Sequence, residues 1–229
     1  GVYNYSGKGW FNDRSALSKI GRASYLSLTF GLMLFDVDMD SDLDLFIGNG
    51  HVYPERTKNQ DGISYKQASQ LFLNNGNGVF AIANEKVSGV LNNKMVVRGV
   101  ALGDYDKDGD IDLLLTENNG PAHLWRNDTE IKNYLRVNLV GVDSNKDAIG
   151  SKVFLYVAGY KMERLIRTGS SYLSQSELTA TFGLGEHQKI DSLLVYWPSG
   201  NKELYFDIEI NKEILIKENF GEIEYLVGN

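Results

Sequence analysis

The chain has 229 residues, 42% of them hydrophobic, and a net charge of −7; that is enough apolar material for one or two cores. An acidic chain without a basic patch is a poor nucleic-acid binder, and no apolar run approaches the roughly 18 residues of a membrane span. Cysteine is absent, which removes disulfides, thiolate zinc sites and cysteine nucleophiles.

Residue 1 is Gly rather than an initiator Met and no signal peptide follows it, so the real N-terminus is expected to have been removed. Gly7-Lys8-Gly9-Trp10-Phe11 matches Gly76-Asn77-Gly78-Val79-Phe80 further on, so the chain opens on the tail of a repeat whose first strands are missing. The next feature is a run of aspartates at every second position: Asp36, Asp38, Asp40, Asp42 and Asp44. The run recurs as Asp104, Asp106, Asp108, Asp110 and Asp112. Five like charges in nine residues repel unless something neutralises them. A hard cation with oxygen ligands answers that need, and Ca²⁺ fits best, one ion per loop and two in all.

By position, Asp36, Asp38 and Asp40, like Asp104, Asp106 and Asp108, supply side-chain oxygens. Asp42 and Asp110 supply backbone carbonyls, and Asp44 and Asp112 add a carboxylate directly or through water. Gly109 at the sixth position allows the sharp turn around the ion; the first loop has Ser41 there and is expected to be strained or weaker. An EF-hand needs a Glu at the twelfth position, where this chain has Ile47 and Leu115. The flanks Leu45-Phe46-Ile47 and Leu113-Leu114-Leu115 are short apolar runs bounded by turn residues, which predicts a strand–loop–strand hairpin.

The two loops are 68 residues apart, whereas the landmarks that follow them, Leu71-Phe72-Leu73-Asn74 and Leu124-Trp125-Arg126-Asn127, are offset by 53. The first unit therefore carries about 15 extra residues between His51 and Gln67, a polar stretch expected to protrude as a loop. His51, Tyr53 and Glu55 within it are candidates for a small site, against the plainer reading of a surface loop. Units that repeat in this way build propellers or solenoids. Two and a half of them cannot close a ring, so partner chains or further blades are expected to complete it.

From Asn133 onward the pattern is strand, turn, strand. Leu135, Val137 and Leu139 alternate with Arg136 and Asn138, and Val153, Leu155 and Val157 alternate with Phe154 and Tyr156. Leu193 to Trp197 ends at Pro198-Ser199-Gly200, and Ile208, Ile210, Ile214 and Ile216 come near the end. The pattern predicts an antiparallel sandwich or barrel. Trp197 reads as core or a turn lid rather than a sugar platform, and Arg164 and Arg167 as a solvated strand face rather than an anion grip.

The loops and Gln70-Leu71-Phe72-Leu73-Asn74-Asn75-Gly76-Asn77-Gly78 resemble FG-GAP/VCBS repeats, the blades of integrin-type propellers. Asn145-Lys146-Asp147-Ala148-Ile149-Gly150, Gly169-Ser170-Ser171-Tyr172-Leu173-Ser174-Gln175, Phe182-Gly183-Leu184-Gly185 and Trp197-Pro198-Ser199-Gly200, closed by Asn211 and Glu218, resemble the ASPIC/UnbV domain of the cartilage acidic protein family. The resemblance implies an all-β chain: incomplete β-propeller blades over residues 1–130, then an antiparallel β-sandwich over 131–229. It further implies an extracellular or cell-surface, Ca²⁺-binding adhesion or recognition module, with an extracellular protein or glycan as partner and no catalytic residue.

The residues themselves point the same way. His51, His123 and His187 lie far apart and in no triad or zinc motif. Gly183 and Gly185 lack the rest of a dinucleotide fingerprint. Ligand spacing accounts for all ten aspartates, so the expectation is no enzyme. The alternatives are an ancillary part of a secreted polysaccharide-acting enzyme, or a self-associating structural protein. Asn4-Tyr5-Ser6 and Asn127-Asp128-Thr129 are glycosylation sequons.

Overall fold

The computed structural model describes residues 1–57, 62–84, 87, 89–130 and 132–226. It is all-β. A hairpin of β1 (Tyr3–Tyr5) and β2 (Phe11–Asp13) comes first, followed by a single helical turn, α1 (Ile20–Ala23). A four-stranded antiparallel blade follows: β3 (Thr29–Phe35), β4 (Asp44–Asn49), β6 (Gln70–Asn74) and β7 (Phe80–Ile82), in that order across the sheet. β5 (Gln67–Ala68) leaves this blade to pair with β8 (Lys94–Met95). The second blade has three strands, β9 (Val97–Gly103), β10 (Asp112–Glu117) and β11 (Ala122–Trp125).

β4 is buried along its whole length because both faces of its blade are covered. Phe46 faces the second blade with Met33, Phe35, Val97, Val100 and Leu115. Leu45 and Ile47 face the other way, onto Ile20, Phe72 and Phe80. Such two-sided burial is why the strand reads as an unbroken apolar run. β3 lies along β9, and the close approach requires Gly31: a Cβ there would collide with the Val100 side chain. This is how successive propeller blades stack.

The second half is a sandwich. One sheet holds β12 (Asn133–Val140) between β17 (Ala180–Gly185) and β20 (Lys212–Lys217), with β21 (Ile223–Leu226) at the edge. The other holds β13 (Lys152–Val157), β14 (Tyr160–Leu165), β18 (Ser192–Tyr196) and β19 (Lys202–Tyr205), ordered β14-β13-β18-β19. The period-two residues Leu135, Val137, Val153, Leu155, Leu193, Val195, Ile214 and Ile216 meet in its core. The antiparallel expectation needs one amendment. β12 and β20 run parallel, with Leu135 opposite Lys212. The chain reaches β20 only after crossing the other sheet, a connection long enough to return it in the same direction.

A small hairpin, β15 (Gly169–Ser171) and β16 (Ser174–Gln175), joins the two halves. The Leu32 amide donates to Ser171 Oγ at 3.2 Å, and the Leu102 amide to Ser176 Oγ at 3.0 Å. The Glu177 amide donates to the Leu102 carbonyl at 3.0 Å, and Tyr172 packs edge-on against Phe30. The serine-rich motif is thus a docking segment that lies against both blades.

The stretch after His51 is less free than a protruding loop. Pro54–Thr57 form a 3₁₀ turn, and the His51 amide donates to the Tyr65 carbonyl at 2.8 Å. Arg98 donates to the carbonyls of Gly50 and His51, and Asn118 Nδ2 to Tyr65 Oη. Residues 58–61 of the insertion lie outside the described residues.

Candidate metal centres

Each aspartate run is the connection of a hairpin: β3 to β4 and β9 to β10. The two are built alike, bond for bond. The first aspartate accepts the amides of the fifth and sixth positions: Asp36 from Asp40 (3.0 Å) and Ser41 (2.9 Å), and Asp104 from Asp108 (3.2 Å) and Gly109 (3.1 Å). The aspartate at the fifth position accepts the amide of the seventh, Asp40 from Asp42 at 3.0 Å and Asp108 from Asp110 at 3.1 Å. The sixth residue has positive φ in both loops, 87° for Ser41 and 104° for Gly109. A serine bears that conformation at a cost that glycine escapes.

The ninth aspartate has a role that spacing did not reveal. Asp44 accepts from the Val37 amide (2.9 Å) with one oxygen and from the Asn74 amide (2.8 Å) with the other. Asp112 does the same with Tyr105 and Asn127, both at 2.8 Å. Each ninth-position carboxylate therefore ties its loop to the third strand of its blade or the chain just beyond it, through a backbone amide; the Asn74 side chain adds a bond of its own, Nδ2 donating to the Leu43 carbonyl at 3.1 Å. Asn127 Nδ2 also donates to the Val37 carbonyl at 2.8 Å, linking the two loops. A glycan on that nitrogen would break the link.

The carboxylates of Asp36, Asp38 and Asp40 offer oxygens within 4.8 Å of one another, as do those of Asp104, Asp106 and Asp108. Oxygens sharing one Ca²⁺ at about 2.3–2.6 Å lie no more than roughly 5 Å apart, so the spacing suits the ion. Burial pushes Asp36 and Asp44 up to about 7, and backbone hydrogen bonds only partly offset it. Asp110 is pushed up to about 8, by burial first and then by Asp108, Asp112, Asp104 and Asp106. Among the described residues, both oxygens of Asp110 and Oδ1 of Asp38 are buried and accept no hydrogen bond. Buried carboxylates are normally paired, and these are not. An all-oxygen donor set with orphaned buried oxygens fits a hard divalent cation. Asp110, expected to offer only its backbone, also buries its side-chain carboxylate.

The sandwich reaches both loops. Arg136 of β12, only 4% exposed, sets Nε 3.4 Å from Asp104 Oδ2. The same guanidinium grips Glu177 with two bonds (3.1 and 3.0 Å), Thr181 at 3.0 Å and Glu213 at 3.4 Å. Arg164 of β14 lies over the Phe182 ring and donates to the carbonyls of Thr181 (3.0 Å) and Glu163 (3.1 Å). Its charge acts on Asp36, and its Nη2 is buried without a partner. Arg164 is therefore not on a solvated strand face, although Arg167 is exposed. Gly183 rests on the first loop: a Cβ there would collide with Asp36 and the Met39 backbone. The Gly185 amide donates to the Met39 carbonyl at 2.9 Å. Arg136 escaped the sequence reading because alternation places it on the outer face of its sheet. That face is covered by the second loop.

The sequence model of the FG-GAP-like repeat matches residues 36–115, and that of the ASPIC and UnbV domain matches residues 141–222. The chain thus carries a segment that matches an FG-GAP-like repeat, followed by one that matches an ASPIC and UnbV domain. Cartilage acidic protein 1 of Xenopus tropicalis is 37% identical over 108 residues, 44% of this chain. Cartilage acidic protein 1 of Homo sapiens is 30% identical over 175 residues, 72% of this chain. The matched regions span 16% and 24% of these relatives. The repeat match covers both aspartate loops, and the ASPIC/UnbV match includes Arg164, Gly183 and Glu218.

The remaining candidates fall outside the metal centres. Trp197 is core, 4% exposed, with Nε1 donating to Glu203. His123 has a partner that the sequence hid: its Nε2 lies 3.3 Å from Glu117, which Lys66 also approaches at 3.5 Å. Burial opposes ionisation of Glu117, but the His123 hydrogen bond and the Lys66 charge prevail and hold its carboxyl below the usual range. His51 packs against Tyr53 with ring centres 5.5 Å apart and the ring planes tilted by 43°. Among the described residues, no helix is long and apolar enough to cross a membrane.

Proposed function

We propose that this chain is a Ca²⁺-binding part of an extracellular recognition or adhesion protein, and that it binds its partner rather than transforming it. The observation that carries this reading is the duplicated loop, which gathers more carboxylates than the nearby arginines can offset and leaves buried oxygens of Asp38 and Asp110 unpartnered. Loops of this kind with modest affinity fill where Ca²⁺ is near millimolar, outside cells. The relatives carry cartilage in their names, which accords with that setting. Coordinated aspartates are poor general bases, so the same residues argue for a stiffened scaffold rather than a reaction centre.

The contact surface we favour is the segment after His51. It is absent from the second repeat, and it presents Val52 and Tyr53, 46% and 59% exposed. Binding of the purified chain to immobilised matrix proteins and to a glycan array, in Ca²⁺ and in chelator, tests the proposal. Partner binding should weaken in chelator and on Tyr53→Ala. Binding indifferent to both, or turnover of a polysaccharide by the metal-loaded chain, would refute it.

A further inference from the structure

We propose that the cleft between the first aspartate loop and the sandwich binds a neutral sugar, with the ring of one hexose lying on Tyr160. The cleft has a volume of about 460 Å³, within the roughly 300–1,000 Å³ of small-molecule sites. Its loop residues precede β4, whereas His51 follows that strand, so the cleft is separate from the surface favoured above. Three segments form it together with His187: the loop at Asp40 and Asp42, the β6–β7 turn at Asn75 and Asn77, and the β13–β14 hairpin at Tyr160. Val157 and Met162, both buried, supply apolar lining.

The lining combines an aromatic face, apolar surface and polar groups with free capacity. Tyr160 is 69% exposed, and its ring centre lies 6.4 Å from that of His187. Among the described residues, the Tyr160 hydroxyl, the His187 ring and the Asp42 carboxylate have no hydrogen-bond partner. Asp42 lies close to the β6–β7 turn: a Cβ on Gly76, whose φ is 81°, would sit 2.9 Å from Asp42 Oδ2. Glycine there leaves the carboxylate room beside the exposed Asn75 and Asn77. A carboxylate accepts from hydroxyls, and an amide both donates and accepts, so this set suits adjacent hydroxyls of one ring. The C–H face of the same ring packs on Tyr160. The lining holds no lysine or arginine, which disfavours an acidic or sulfated sugar. An amine is disfavoured in turn because Ca²⁺ in the first loop already offsets Asp40; this step rests on the metal reading above.

Saturation-transfer NMR on the full chain in Ca²⁺ tests this, with the methyl glycosides of glucose, galactose, mannose and N-acetylglucosamine as probes. At least one should receive saturation. Its Kd should rise about tenfold on Tyr160→Ala and on Asp42→Ala, and stay within about twofold on Tyr160→Phe, which keeps the ring face. Phe206→Ala removes an aromatic that is 59% exposed outside the cleft, and should change nothing. Transfer to none of the glycosides, or binding indifferent to Tyr160→Ala, would overturn the inference. So would tighter binding of Nα-acetyl-lysine or of methyl glucuronide than of every neutral glycoside. Ca²⁺ titration calorimetry on the same sample keeps the two readings apart. Ion uptake without sugar binding overturns this inference and leaves the metal reading standing; no ion uptake would overturn the metal reading and the charge argument drawn from it.

Discussion

Asp110→Asn should make the metal-free protein more stable and the metal-bound protein less so. Asp110 is 1% exposed, and neither of its oxygens has a hydrogen-bond partner. Burial and four neighbouring aspartates push it up to about 8, from 3.8. At about pH 7, folding without metal must therefore protonate this group or bury its charge. The ceiling on that cost is about 4 kcal/mol, from the gap between an unfolded aspartate and the working pH. Interiors respond as if their dielectric were well above that of dry protein, so about 2 kcal/mol is a fairer figure. The sign follows from the raised pKa: the penalty is absent below about pH 4 and grows as pH rises toward 8. In chelator at pH 7, Asn should raise the Tm by about 4–8 °C, and the gain should vanish at pH 4. In Ca²⁺ the ion supplies the missing charge, so the gain should disappear or reverse. Thermal melts of parent and variant under these three conditions provide the assay. A variant no more stable than the parent in chelator at pH 7, or one with the same gain at pH 4, would refute the reasoning.

Asp108→Ala should lower the Tm in Ca²⁺ and change it little in chelator, because its contribution comes through ligand binding to the folded state; paired melts check this. Glu218 is buried and accepts the amides of Val142, Asp143 and Ser144 and the hydroxyls of Ser144 and Ser199. Burial works against its charge, but these bonds win and hold it down at about 2. Its stabilisation is present above pH 4.5 and lost as pH falls through about 2. Urea titration of Glu218→Gln should show a loss of about 2–4 kcal/mol, independent of Ca²⁺. Gly183→Ala should cost about 1–3 kcal/mol by forcing the sandwich off the first loop. Gly169→Ala, where a Cβ meets nothing within 4 Å, should be near neutral in the same melts.

The sequence revealed the two aspartate loops as matching hairpin connections because the run occurs twice with apolar flanks. It revealed the sandwich core for a similar reason, since Leu135, Val137, Val153 and Leu155 alternate cleanly. It concealed whatever depends on contacts distant in the chain. Arg136 and Arg164 look like surface residues of their strands until the loops at Asp104 and Asp36 are laid over them. Glu218 looked like the end of a motif, although it gathers a turn that begins at Val142. The parallel pairing of β12 with β20 was hidden because period-two alternation records which face a residue takes and not which way its neighbour runs. The ninth aspartates were legible as acids but not as ties, because their partners, Asn74 and Asn127, lie beyond the loops.

The most direct test of the central claim is to measure how many divalent ions the purified chain holds and where, by Ca²⁺ titration calorimetry joined to anomalous scattering from crystals. The account predicts two ions, one on Asp36, Asp38 and Asp40 and one on Asp104, Asp106 and Asp108, each with oxygen ligands at about 2.3–2.6 Å. No ion in either loop at millimolar Ca²⁺ would contradict it.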